Sequence, residues 1–487
     1  FGSKPVEEDE DEIVGDVNID EGKAEKYNEY TLCGNCGSID IANSLAGDCC
    51  NEKMPFSLLK VPCKNGKVIV CPACGKRSSQ GVVWRFLTGA DAASSVLATA
   101  LYRASELRKA SKKAELKKEI DPWRPIQVQS GNSDDNRIEN DQRKLLVFSD
   151  SRQDAAFFAP YLNRTYWRIL RRSLILEILK KNKESVISDR WRVQDIVNPL
   201  QKYLEEMNIF PEYSRVQQKA EIWKWLMYEL IALDKRNSLE GLGLLGFSLV
   251  KPVNWDVPRP LLQEPWGFST QEAWTLYQVL IDSVRQKGVM LFPDELSPYD
   301  DFFQPRNYEL YIKERTNKEL TKKGVMGWNS NSTNSRLDYI IRVARRINPA
   351  ITKEQCSELL ANIWYSFCAD DLRSPWHSYF NVENLPRLGT VYRLKNNVWE
   401  LKASQLDKDI QWYMCDKCMY LTIHNIRGVC PSYRCEGTLR PCDPLSINRE
   451  NHYFKLYTNV LPIRMKAEEH TAQLSSSAAA ELQNRFV

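Results

Sequence analysis

The chain has 487 residues, with 67 Lys and Arg against 63 Asp and Glu and a formal net charge of +4 at pH 7. That length leaves room for roughly three domains, and so neutral a balance neither demands nor excludes nucleic acid, leaving such contact to local patches. No apolar run approaches the ~18 residues that cross a membrane, and the acidic start lacks the basic and apolar character of a signal peptide.

Fourteen cysteines, six of them in three C-x-x-C pairs and without a secretory signal, point to thiolate-bound zinc in a reducing, cytoplasmic compartment rather than to disulfides. Residues 1–30 carry the unbroken acidic run Glu7–Glu12, which predicts a disordered linker. Residues 31–80 hold seven cysteines and little apolar content, too little to fold on a core alone. Here Cys33-x-x-Cys36 and Cys71-x-x-Cys74 are each followed by a glycine, Gly37 and Gly75, which suits the positive φ of a metal-binding knuckle. They predict one zinc ribbon with a 34-residue excursion that contains Cys49, Cys50 and Cys63. A second metal held by those inner cysteines is the other reading.

Residues 81–107 return to apolar content, with a helix predicted over Ala92–Leu107, and residues 108–140 are charged and polar. The run Arg108, Lys109, Lys112, Lys113, Lys117 and Lys118 is explained as well by a solvated helix as by DNA. Leu145–Phe148 read as a buried strand, broken by Ser149-Asp150-Ser151; Ser151 with Asp154 matches a helix-opening cap. Ala155, Phe158, Ala159, Leu162, Tyr166, Ile169, Leu170 and Leu174 then follow at helical spacing towards Lys181. The unit is strand, polar turn, amphipathic helix, and the strand's C-terminal edge is where open α/β sheets bind ligands.

Residues 185–410 read as a mostly helical insertion rich in Trp and Tyr, with helices at Ala220–Leu233 and Ser335–Arg346. Its aromatics sit at amphipathic spacing and are expected in a core rather than as base-stacking platforms. Residues 411–445 form a second cysteine module, with Cys415-x-x-Cys418 followed after eleven residues by Cys430 and then Cys435. A C-x-x-C turn sets two thiolates on one side of a zinc ion, and four soft ligands close the tetrahedron. The closing pair is spaced Cys-x4-Cys, which leaves His424 and Cys442 as alternatives for one ligand. Both sets are closed, so about two structural zinc ions are expected and no catalytic residue is assigned. The sequence has no G-x-x-x-x-G-K-[ST] phosphate loop and no Asp-Glu-x-His box; alone it is not expected to hydrolyse ATP.

The stretch KLLVFSDSRQDAAFFAPYL, residues 144–162, closely resembles the fourth motif of superfamily 2 helicases, which opens their second RecA-like domain. LPIRMKAEEHTAQLSSSAAAELQNRFV, residues 461–487, resembles the next strand and helix of that domain, with its His-Thr-Ala-Gln-Leu turn. Phe86-Leu87-Thr88-Gly89 looks like the run-up to motif four. The two long stretches, about a tenth of the chain, look most like the large DEAD/DEAH-box helicases of bacteria and archaea with cysteine-rich insertions. Several of these belong to phage-defence systems of the Druantia and DISARM type.

The resemblance implies an α/β fold plus a mostly α insertion. Residues 81–184 and 446–487 would be parts of one second RecA-like domain, interrupted by the insertion and the zinc ribbon. It implies that Ser149, Asp150, Ser151, Arg152, His470, Thr471 and Gln473 face one DNA strand. The whole enzyme would use ATP and magnesium to move on DNA, in antiphage defence or DNA repair, with defence-system proteins as partners and no membrane. Since the chain starts at Phe1 and stops at Val487 in mid-motif, it is expected to be a middle fragment. Leu145–Phe148 and Ile463–Ala467 are then expected as neighbouring parallel strands. The alternative is a zinc-ribbon interaction scaffold whose RecA-like part is degenerate.

Overall fold

The structure is a computed structural model and describes residues 29–41, 49–50, 52, 54–59, 68, 94–102, 145, 147, 152–210, 212–330, 334–368, 374–459, 465 and 467. Helix α1 (Arg152–Lys181) is 30 residues long and begins one residue after the predicted cap. Its predicted stripe is its buried side: Leu162, Tyr166, Leu170 and Leu174 are all buried. Lys180 and Lys181 close its last turn, where cations complement the helix dipole.

Two helices, α2 (Val197–Glu206) and α3 (Arg215–Leu230), pack together, and α2 also packs on α1. Ser214 caps α3 through a reciprocal box with Gln217, which sets its start five residues before the predicted Ala220. Ile222, Trp225, Leu226 and Leu230 are buried as their register requires. From α1, the buried Arg172 donates to Glu229 at 2.7 Å, to the Tyr457 hydroxyl at 2.8 Å and to Asp234 at 3.3 Å. A guanidinium taken out of water needs such partners; here they tie α1 to α3 and to a helix from far down the chain.

The region 185–410 is not mostly helical. Besides α4 (Thr270–Gln286), α5 (Ser335–Ile347) and α6 (Lys353–Phe367), its described residues hold six strands. Of these, β4 (Leu245–Leu249) pairs antiparallel with β9 (Trp399–Ala403). A mixed sheet in the order β6-β5-β8-β7 is built from β5 (Tyr311–Lys313), β6 (Val325–Gly327), β7 (Phe380–Leu385) and β8 (Gly389–Leu394). Strand β4 is buried at all five positions, so it shows no two-residue alternation, and β5 and β6 are only three residues long. Periodicity cannot find such strands. Most aromatics of the region are core, as expected, although Tyr213, Tyr299, Tyr308 and Tyr365 are exposed. Trp376 is buried and lies 4.7 Å from Phe367, 5.1 Å from Tyr379 and 5.5 Å from Tyr277, between ring centroids.

Helix α7 (His452–Asn459) returns the chain to α1, against which it packs. Beyond it, the Asn163 side chain of α1 donates to the Ala467 carbonyl at 2.7 Å and accepts from the Ala467 amide at 2.8 Å. Met465 is buried, and Leu145 and Ala467 pack against the same core. Residues 145, 147, 465 and 467 are not in strands. The rest of the two expected strands lies outside the described residues, as does the acidic run Glu7–Glu12. Among the described residues the sheets have three, three, two and four strands, and none is a parallel RecA-like sheet. Residues 94–102, inside the predicted Ala92–Leu107, are helical.

Candidate metal centres

The second cysteine module is a three-stranded antiparallel sheet in the order β11-β10-β12, from β10 (Trp412–Cys415), β11 (Leu421–Thr422) and β12 (Leu439–Cys442). Cys415 ends β10 and the chain turns back through Cys418, with Met419 at a φ of 59°. The second knuckle carries Cys430 and Cys435, closed by a bond from the Cys435 amide to the Ser432 carbonyl at 3.1 Å. That local turn absorbs the longer Cys-x4-Cys spacing. Behind it Gly437 is obligatory, because a Cβ there would lie 2.3 Å from the Cys415 sulfur.

The sulfurs of Cys415 and Cys435 are 3.7 Å apart, those of Cys418 and Cys430 are 3.5 Å apart, and all four lie within 4.8 Å of one another. Tetrahedral zinc with ~2.3 Å bonds to sulfur needs S···S edges of about 3.8 Å, so the set fits the ion. The Cys418 amide points at the Cys415 sulfur and the Gly437 amide at the Cys435 sulfur, at 3.5 and 3.4 Å. The Cys418 thiol is pulled down to about 5 by the hydrogen bond it receives from Cys430, whose own thiol is pushed up by giving that bond and by burial. One proton leaves readily; full deprotonation needs a cation among the sulfurs.

The two alternative ligands are elsewhere. Cys442 pairs with Trp412, at the far end of β12 from the Cys415–Leu439 pair. His424 is buried, bonded to the Phe247 carbonyl, and burial pushes its imidazole down to about 4.

The ribbon is fastened from outside by a residue that no motif singles out. Arg342 of α5 donates to the carbonyls of Cys430, Cys435 and Ser432 at 2.6, 2.8 and 2.9 Å. Asp338, one turn back, accepts from Arg342 at 2.8 Å and from the Arg434 amide at 2.9 Å. A guanidinium's planar fork of donors suits this task and a lysine's single ammonium does not.

The first module is also a three-stranded antiparallel sheet, β2-β1-β3, from β1 (Glu29–Cys33), β2 (Ile39–Ile41) and β3 (Pro55–Leu59). Cys33 ends β1, and the turn to Ser38 passes through Gly37 at a φ of 76°. Cys33 faces Cys50 and Cys36 faces Cys49, each pair 3.7 Å apart, and the four sulfurs lie within 4.8 Å of one another. The predicted partners Cys71 and Cys74 lie outside the described residues, as does Cys63. Among the described residues, Cys49 and Cys50 complete a group of four with Cys33 and Cys36. Adjacent side chains diverge in a strand, but Cys49 sits in a bend and the two thiols converge. A signal was available: Cys36 and Cys49 are separated by 12 residues, much as Cys418 and Cys430 are separated by 11. The Cys36 thiol is pulled down to about 5, first by the Cys50 amide, while burial pushes Cys50 up to about 12.

Of the residues expected to face DNA, Ser149, Asp150, Ser151, His470, Thr471 and Gln473 lie outside the described residues, and Arg152 is described only as the first residue of α1. Among the described residues no helix is long and apolar enough to cross a membrane.

The fold and these sites define a mixed α/β protein with two four-cysteine groups that could each hold a metal ion. Comparison with known families, with curated proteins and with solved structures finds no match.

Proposed function

We propose that this chain is part of an ATP-dependent superfamily 2 DNA helicase or translocase, acting in antiphage defence or DNA repair. In this reading two structural zinc ions brace a second RecA-like domain and the region inserted into it. The observation that carries it is the Asn163 bracket. The helix that follows the first helicase-like stretch holds the backbone of the second, across 304 residues of intervening chain. That is the proximity two consecutive strand-helix units of one sheet need.

On that arrangement Ser149, Ser151 and Arg152 would share an edge with His470, Thr471 and Gln473 and offer donors to phosphate oxygens, which position a strand without reading its sequence. ATP and magnesium would act in parts of the enzyme that carry a phosphate loop and an Asp-Glu-x-His box, patterns that do not occur in these 487 residues. The test is fluorescence anisotropy of the purified chain with labelled single-stranded and duplex DNA at low and moderate salt. Binding should fall with salt, and Arg152→Ala with His470→Ala should weaken it about tenfold at unchanged thermal stability. No binding at low salt, or binding indifferent to both substitutions, refutes the reading, as does ATP hydrolysis by the chain alone.

A second reading, an interaction scaffold, is favoured by one observation. In the first module, cross-strand registry puts Leu32 beside Ile39 and Phe56, and Tyr30 beside Leu58. This is an apolar face on which Ile39 is 59% and Phe56 47% exposed, and such faces mark partner contacts.

A further inference from the structure

We infer that the first four-cysteine group is an oxidation site, at which hydrogen peroxide joins Cys36 to Cys49 as a disulfide and frees the metal, while the second group keeps its own. The inference rests on the zinc reading above and goes beyond it in giving the two sites different chemistry.

The two groups have nearly the same internal geometry and differ in exposure. In the second, Cys415, Cys430 and Cys435 are buried, Cys418 is half-buried and none of the four is exposed, with Leu439, Tyr413 and Tyr420 packed around them. Arg342 closes the knuckle from the α5 side. In the first, Cys33 is buried, but Cys36 is exposed and Cys49 and Cys50 are half-buried. An oxidant reaches a sulfur only along a solvent path, so Cys36 is the entry point. Its neighbour at 3.7 Å is Cys49, close enough to resolve the first product without unfolding the sheet.

The chemistry balances in two steps. The Cys36 thiolate attacks one peroxide oxygen; a sulfur–oxygen bond forms, the O–O bond breaks and hydroxide leaves, giving the sulfenic acid. The Cys49 thiolate then attacks that sulfur; the disulfide forms, the sulfur–oxygen bond breaks and a second hydroxide leaves. Two thiolates lose two electrons and one peroxide gains them. The site keeps only two thiolates, Cys33 and Cys50, and two sulfurs do not make the closed set that structural zinc requires.

The experiment uses the full chain, with zinc content measured first. Peroxide is added in small molar excess and freed zinc is followed with a chromogenic chelator. Cysteine states are mapped by differential alkylation and peptide mass spectrometry. We expect about one zinc per chain released, a Cys36–Cys49 cross-link, and both effects reversed by dithiothreitol, with Cys415, Cys418, Cys430 and Cys435 unchanged. Cys49→Ser should abolish the cross-link and leave a Cys36 sulfenic acid that dimedone traps. Should that variant fail to fold, the wild-type map decides alone. Equal release from both groups, a first cross-link at Cys33–Cys50 or in the second group, or resistance of both overturns the inference. A chain that purifies with less than one zinc overturns the zinc reading itself, whereas two zinc ions lost together overturn only the difference between the sites.

Discussion

Replacing Arg342 with alanine tests whether the second metal site depends on the helix beneath it. The Arg342 side chain is 11% exposed and its guanidinium donates to three carbonyls, two of them on cysteines of the candidate metal site. Hydrogen bonds from a charged donor contribute ~1.5–3 kcal/mol each, but truncation here lets water reach part of the knuckle, so about 1 kcal/mol per bond is the fairer figure. Three bonds make about 3 kcal/mol, or roughly two decades in metal affinity. The loss falls on the site because the metal-free knuckle no longer holds its cysteines in place. Asp338 keeps the Arg434 amide, which limits the damage to α5. The assay is zinc competition against a chelator of known affinity, with both sites resolved. One site should weaken about a hundredfold and the other stay unchanged, and Arg342→Lys should recover only part of the loss. Equal weakening of both sites, or less than about a threefold change in either, would refute the reasoning.

Three further outcomes follow from other parts of the fold. Asn163→Ala removes both hydrogen bonds to Ala467 at a cost of about 1–3 kcal/mol; hydrogen exchange at the Ala467 amide should speed up, and unchanged protection would mean that the bracket does not hold that segment. Trp376→Ala empties the centre of the aromatic cluster and should cost about 3–5 kcal/mol, read as a lower urea midpoint. His424 is held neutral by burial, pushed down to about 4 from an ordinary 6.5, so the unfolded chain binds its proton first as pH falls. Stability present above about pH 6.5 should therefore be lost towards pH 4, by about 3 kcal/mol. In His424→Gln that slope should flatten at equal zinc content, and an identical slope in both proteins would rule out His424 as its source.

What the sequence by itself determined is local. The stripe from Leu162 to Leu174 repeats with the helical period, so α1 was legible together with its buried face. The second cysteine set was legible because C-x-x-C is a complete local turn with chemistry attached, and Cys430 and Cys435 follow within a hairpin's length. Tertiary structure decided whatever depends on which distant segments meet. Cys49 and Cys50 join Cys33 and Cys36 because a bend, not a spacing rule, turns both thiols inward. Strands β4 and β9 of the inserted region were not legible because they pair across more than a hundred residues, as with Phe247 and Leu401. By contrast, β7 and β8 form a local hairpin, Phe380–Leu385 with Gly389–Leu394, whose signal was within reach of the sequence. Arg342 and Asn163 carry no motif at all. A lone arginine or asparagine on a helix becomes a clamp only when the fold sets backbone carbonyls and amides within reach, 88 residues away for Cys430 and 304 for Ala467. Periodicity and spacing report on neighbours along the chain; contacts of that range are set by how whole elements pack.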